Sequence, residues 1–247
     1  MLTDQGIKGE IQGLDDKYLI PKYHGRILTL TPTQVSINTP RDEVCEEPEL
    51  IAHQSTITKL IANSISTRFQ NGTSPTAKDM KLPLDDAAAV DVLYLTCKGK
   101  LRAKDEGMTA QADLSNVVWF IDLGNKQFAM SWHDQTILIL DRVHKNAKPV
   151  ASFNCAKAGT DVEKTICGSV GLAAYDVSLA QSYNLVKSYY KSKPDNKPVL
   201  AELKASQREW ISQRNRCGAD EKCLEKVMNI RIGDLIYDLG DYMYQNR

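Results

Sequence analysis

Two hydrophobic rhythms divide the chain. Between residues 25 and 142 apolar positions alternate, or run in short blocks bounded by turn residues, whereas from residue 160 onward they recur every three or four positions. The first rhythm belongs to strands and the second to helices. Residues 27–31 alternate and stop at Pro32, and residues 35–38 supply a hairpin partner after the Pro32-Thr33 turn. Residues 90–97, 117–123, 127–132 and 136–142 predict four more strands, with Gly124-Asn125 as a tight turn. Residues 50–69 predict a helix with Ile57, Leu60, Ile61, Ser64 and Ile65 on one face. Residues 39–48 read as an acidic loop, 71–76 as a further loop, and the first dozen residues as loose polar chain. Short turns between apolar strands predict a small antiparallel sheet or partly closed barrel carrying one helix.

The helical rhythm opens with Thr160 and Glu163, spaced as a capping box. Leu172, Asp176, Leu179, Tyr183, Val186 and Tyr190 then step by four and three along one stripe. Residues 193–198, with Pro194 and Pro198, break the helix. Leu200, Leu203, Gln207, Trp210 and Arg214 repeat the stripe beyond the break. The connection is short, so the two helices are expected to be antiparallel neighbours. Laid side by side, Leu179 meets Trp210, Tyr183 meets Gln207, and Asp176 meets Arg214. This predicts a partly buried Asp176–Arg214 ion pair and a module core of Leu172, Leu179, Tyr183, Leu203, Gln207 and Trp210.

Composition narrows the possibilities. The chain has 247 residues and no net charge, so nucleic acid is not the expected partner. No apolar run approaches the roughly 20 residues of a membrane span. The start of the chain lacks the features of a signal peptide, yet six cysteines at loop and helix-end positions suggest oxidation. An envelope or periplasmic protein whose leader lay ahead of Met1 reconciles the two, with a cytosolic protein holding reduced thiols as the competing reading. Locality favours Cys155 with Cys167 and Cys217 with Cys223, leaving Cys45 for Cys97. A crossed pairing of the last four cysteines is the rival. Zinc fits poorly, because paired Cys-x-x-Cys elements are missing and His24, His53, His133 and His144 all lie outside the cysteine-rich stretch.

Catalytic patterns are weak. Gly168-Ser169-Val170-Gly171 is not a nucleophile elbow and follows a helix instead of a strand. His133-Asp134 has no nucleophile placed with it. The carboxylate pairs Asp15-Asp16, Glu46-Glu47 and Asp85-Asp86 are sequence neighbours and do not face each other across a cleft. No cofactor and no enzymatic site are expected. Lys98, Lys100, Arg102 and Lys104 form the densest basic loop. As a functional element it would be an arm presented to an acidic cleft.

Several spaced elements carry a resemblance. They are Cys155 with Glu163-Lys164-Thr165-Ile166-Cys167, Leu172 and Asp176 with Leu179 and Tyr183, and Gln207-Arg208-Glu209-Trp210 with Arg214 before Cys217 and Cys223. Together, over about residues 152–239, they resemble the LprI-type lysozyme-inhibitor family of bacterial envelope proteins. Tyr175 stands where that family commonly has an aliphatic residue, and Met228 where it has an aromatic. A looser likeness links residues 25–32, Asn38-Thr39-Pro40, Cys45, Pro48, Cys97 and Trp132-His133-Asp134 to the β-domain preceding the module in longer members. The resemblance implies a non-enzymatic protein that binds and blocks a peptidoglycan-cleaving enzyme. An immunity protein against an interbacterial (type VI secretion) toxin, or a structural or adhesive envelope module, are the alternatives. The expected architecture is α+β: a β-rich domain over residues 1–147, then a disulfide-stapled antiparallel helical module over residues 152–247.

Overall fold

The computed structural model of the chain describes residues 5–7, 23–38, 43–64, 75–102, 117–132, 136–144, 146–192 and 197–245. They fall into two compact units. The first comprises Met1–Lys17, Leu28–Ile37 and Glu43–Lys145, and the second Tyr18–Ile27, Asn38–Asp42 and Asn146–Arg247. The architecture is α+β, with antiparallel strands first and disulfide-bonded helices after them.

The strands of the first unit are β1 (Gln5–Ile7), β2 (Ile27–Leu30), β3 (Gln34–Ile37), β4 (Glu43–Glu46) and β5 (Pro48–Thr56). Helix α1 (Ile57–Ser64) follows, then β6 (Ala89–Cys97), β7 (Lys100–Leu101), β8 (Trp119–Gly124), β9 (Gln127–Trp132) and β10 (Thr136–Arg142). They form one sheet in the order β4-β3-β2-β1-β10-β9-β8-β6-β5, with β7 paired to β6. Its two ends, β4 and β5, are consecutive in the chain. The backbone bends at Glu47, which has a φ of 49°, so one stretch pairs with β3 through its first half and with β6 through its second. The Lys98 N–H donates to the Glu46 carbonyl at 3.0 Å, and the Cys45–Cys97 disulfide ties β4 to β6. The sheet therefore curls into a partly closed barrel.

Both faces of its central strands are buried. Leu28, Val35, Cys45, Leu95, Val118 and Met130 turn inward around a void of about 20 Å³. Val92, Tyr94, Trp119, Ile121 and Ala129 turn outward beneath Ile57, Leu60 and Ile61 of α1. This explains the unbroken apolar run Val117-Val118-Trp119-Phe120-Ile121, since a strand covered on both faces has no polar alternation. The Trp119 indole N–H donates to Ser64 Oγ at 2.7 Å, which is why a serine can occupy the buried face of α1.

Three local expectations are corrected here. Residues 50–56 are strand, not helix: β5 pairs with β6 from Pro48↔Cys97 to Thr56↔Ala89, and α1 starts only at Ile57. His53, Gln54 and the residues around them are exposed on this edge strand, so no apolar stripe extends the helix upstream. Ile65 lies outside the described residues. Within the acidic loop, Glu43–Glu46 forms β4, because pairing with β3 outweighs its charge. Near the start of the chain, Gln5–Ile7 pairs with β10. His133 and Asp134 also lie outside the described residues.

The second unit carries a 3₁₀ turn at Cys155–Lys157 and helices α2 (Asp161–Gly168), α3 (Val170–Lys191), α4 (Lys197–Asn215) and α5 (Glu221–Gln245). Leu224, Met228 and Ile232 of α5 are fully buried against Val162, Ile166, Leu172 and Tyr175. Tyr23 and Arg26 are buried within the same unit. The Arg26 guanidinium lies 4.1 Å from the Tyr175 ring centroid, within cation–π range. Between them Gly25 adopts a φ of +69°, and a Cβ there would stand 3.3 Å from the Ala174 carbonyl oxygen. Only glycine meets both demands without strain.

Candidate functional site

The helical module is fixed from its turns inward. Thr160 caps α2 by accepting the Glu163 N–H at 3.2 Å, while Glu163 Oε2 accepts the N–H groups of Thr160 and Gly159 at 3.0 and 2.8 Å. Those donors hold the Glu163 carboxyl below its usual range. The disulfide Cys155–Cys167 clips the 3₁₀ turn to α2, and Cys217–Cys223 closes the turn between α4 and α5. These are the local pairings. Ser169 caps α3 by accepting the Leu172 N–H, so the Gly168–Gly171 segment is a helix junction.

Behind α4, α5 sets its rotation. The Trp210 indole N–H donates to the Val227 carbonyl at 3.3 Å. Arg231 donates to Gln207 Oε1 at 3.1 Å and to Ser206 Oγ at 3.0 Å. Anchored this way, α4 runs antiparallel to α3: Val186 and Tyr190 pack with Leu203, and Leu179 packs with Trp210. These groupings follow the apolar part of the two stripes.

In front of this contact the two helices leave a groove of about 600 Å³. Leu179, Tyr183, Trp210 and Ile211 form its apolar floor, and Ser152 and Phe153 close one end. At that end Asp176 Oδ2 accepts the Ser152 N–H at 2.6 Å. Arg214 Nη2 donates to Asn215 Oδ1 at 3.0 Å, and its guanidinium lies 5.4 Å from the Trp210 ring centroid. The hydrogen-bonded Asp176–Arg214 pair read from the stripes is thus replaced by separate partners, although both residues line the same groove end. The charges still act across it. Burial pulls the Arg214 guanidinium below its usual value, and Asp176 and Glu163 pull the other way.

The six expected core residues divide by depth. Leu172, Leu179, Leu203 and Trp210 are buried, whereas Tyr183 and Gln207 are half-buried on the groove wall. Tyr175 and Met228 are buried with them. The cations of the basic hairpin in the first unit have different surroundings. Lys98 pairs with Glu46 at 2.5 Å, Lys100 is exposed on β7, and Arg102 turns toward the barrel void. Lys104 lies outside the described residues.

Sequence reasoning missed the cations of the groove. Lys187 of α3 and Lys204 and Arg208 of α4 line its second end. Lys187 follows Tyr183 by four positions on α3, and Lys204, Arg208 and Ile211 run beside the Leu203, Gln207 and Trp210 stripe on α4. On one helix such residues read as a solvated face, and only the pairing of two helices gathers them. Among the described residues no group of three His, Cys, Asp or Glu is placed to hold a metal. No described helix is long and apolar enough to cross a membrane.

Comparison with protein families places residues 154–235 on the model described as Lysozyme inhibitor LprI. The match covers the helical module from the residue before Cys155 to Leu235 in α5. Comparison with curated proteins and with solved structures gave no match.

Proposed function

We propose, from the premise that residues 154–235 form a module similar to the lysozyme inhibitor LprI, that this chain binds and blocks a peptidoglycan-cleaving enzyme. It does so outside the cytoplasm and without chemistry of its own. The family match is the observation that carries this reading. Three disulfides support the compartment, since such bonds persist in oxidising surroundings. The periplasm or the envelope surface is the specific location proposed. The helical groove is the proposed contact surface, with the catalytic carboxylates of a lysozyme-type cleft as a complementary charge.

A second reading is an immunity protein that neutralises one cognate toxin. Its support is that the matched region leaves the whole β unit outside it, which provides a separate surface for a dedicated partner. One assay addresses both. Turbidity loss of a cell-wall suspension is followed with several lysozyme-type enzymes, with and without the oxidised protein. Stoichiometric slowing of common lysozymes is expected. Inhibition of a single secreted toxin and none of the others would favour immunity. Undiminished lysis in every case, with no hydrolase recovered on the immobilised protein, would exclude an inhibitory role.

A further inference from the structure

The α3–α4 groove is chemically lopsided. Four cations line it, Lys187, Lys204, Arg208 and Arg214, against a single carboxylate, Asp176. Asp176 lies at the Arg214 end and already accepts the Ser152 N–H. The other three cations gather toward the α3–α4 connection. Among the described residues no acid pairs with them, and the Lys187 ammonium lies 5.8 Å from the Tyr183 ring centroid. The middle of the groove is apolar, and Ile211 leaves 38% of its surface open there. From Asp176 to Lys187 the helix rises about 16 Å, the reach of roughly five extended residues.

We infer that this groove takes an acidic, extended segment of a partner protein, with its carboxylates on Lys187, Lys204 and Arg208 and an apolar side chain on Leu179 and Ile211. The inference deepens the inhibitor reading and relies on it only for who the partner is. Charge complementarity selects the occupant. A nucleic acid would face a chain with no net charge, and a purely apolar helix would leave three ammonium and guanidinium groups desolvated and unpaired, which is costly. A segment carrying carboxylates beside an apolar side chain satisfies both zones at once.

The test uses calorimetry on the full oxidised chain with two blocked peptides. One has glutamates flanking a central leucine, and the other has lysines in their place. The glutamate peptide is expected to bind and the lysine peptide to fail. The double variant Lys204→Glu/Arg208→Glu, exposed on α4 and checked for an unchanged melt, should weaken glutamate-peptide binding by about tenfold, as two partly solvated charge pairs imply. Ile211→Asp should weaken it as well. Equal binding of both peptides, no binding of either, unchanged affinity in the double variant, or preference for a soluble peptidoglycan fragment would each overturn the inference. The two readings separate cleanly. Enzyme inhibition that survives the double variant removes the groove and keeps the inhibitor. Selective glutamate-peptide binding with no hydrolase inhibited keeps the groove and removes the inhibitor.

Discussion

The β unit and the helical unit are held together by opposite strategies. In the β unit the disulfide joins residues 52 apart and fastens β4, at one end of the sheet, to β6 beside the other end. In the helical unit the disulfides span 12 and 6 residues and fasten single turns. The same contrast runs through the rest of the molecule. Trp119 on β8 finds its partner Ser64 far back in the chain, whereas α2 completes its cap with a residue three positions away. Distant closure restricts the unfolded chain more than local closure does, so the two units should respond differently to loss of their ties.

The widest test of that contrast is the disulfides themselves. Chain-entropy arguments predict a loss of about 4 kcal/mol for Cys45→Ser/Cys97→Ser, about 3 for the Cys155–Cys167 pair and about 2 for the Cys217–Cys223 pair. Urea unfolding of the three double variants checks the ranking, and a reversed order would remove the contrast. Next in size is Asp176→Ala, which removes the buried, charged acceptor of the Ser152 N–H and should cost about 1.5–3 kcal/mol. Asp176→Asn keeps an acceptor oxygen and should cost less, unless the charge facing Arg214 is what matters. Thermal melts of both separate the two contributions. Thr160→Ala removes the α2 cap and should cost about 1 kcal/mol, read as a lower melting temperature with the barrel transition unmoved.

The smallest effect is acid sensitivity of the same cap. Glu163 is held below the ordinary carboxyl value of 4.5 mainly by the Thr160 and Gly159 N–H groups. A carboxyl depressed on folding contributes stability that is present above its unfolded pKa and lost as pH falls through the lower folded one. Amide exchange at Gly159 and Thr160 should therefore stay slow at neutral pH and gain in relative rate below about pH 4.5. Exchange in Glu163→Gln should lose that dependence. A wild-type profile matching the variant would show that the carboxylate does not hold the cap.

The same contrast decides what the sequence reveals. The capping box and the α3 and α4 stripes were legible because each depends on residues within a few turns of one another. The barrel was legible as a set of strands but not in its closure. Glu43–Glu46 looks like an acidic loop until β3 is placed beside it, and residues 50–56 look helical until β6 supplies seven paired partners. At the site, the floor was legible as a core stripe, since Leu179 and Trp210 are spaced for burial. The Asp176–Arg214 contact was read from the helices alone. It ignored the Ser152 N–H, which arrives from the preceding extended segment and takes the carboxylate. Lys187, Lys204 and Arg208 became a group only when two helices were laid together.

Tyr23, Gly25 and Arg26 have a consequence for how this protein is made. They belong to the helical unit, yet they leave the ribosome far ahead of the helices they serve. The nascent strap must wait, through the synthesis of every later strand, for the Tyr175 ring and the Ala174 carbonyl that receive it. A gene fragment opened at the family-matched boundary, residue 154, would encode all four helices and omit this strap. Such a truncation should yield a helical module with a bare aromatic face and a tendency to self-associate.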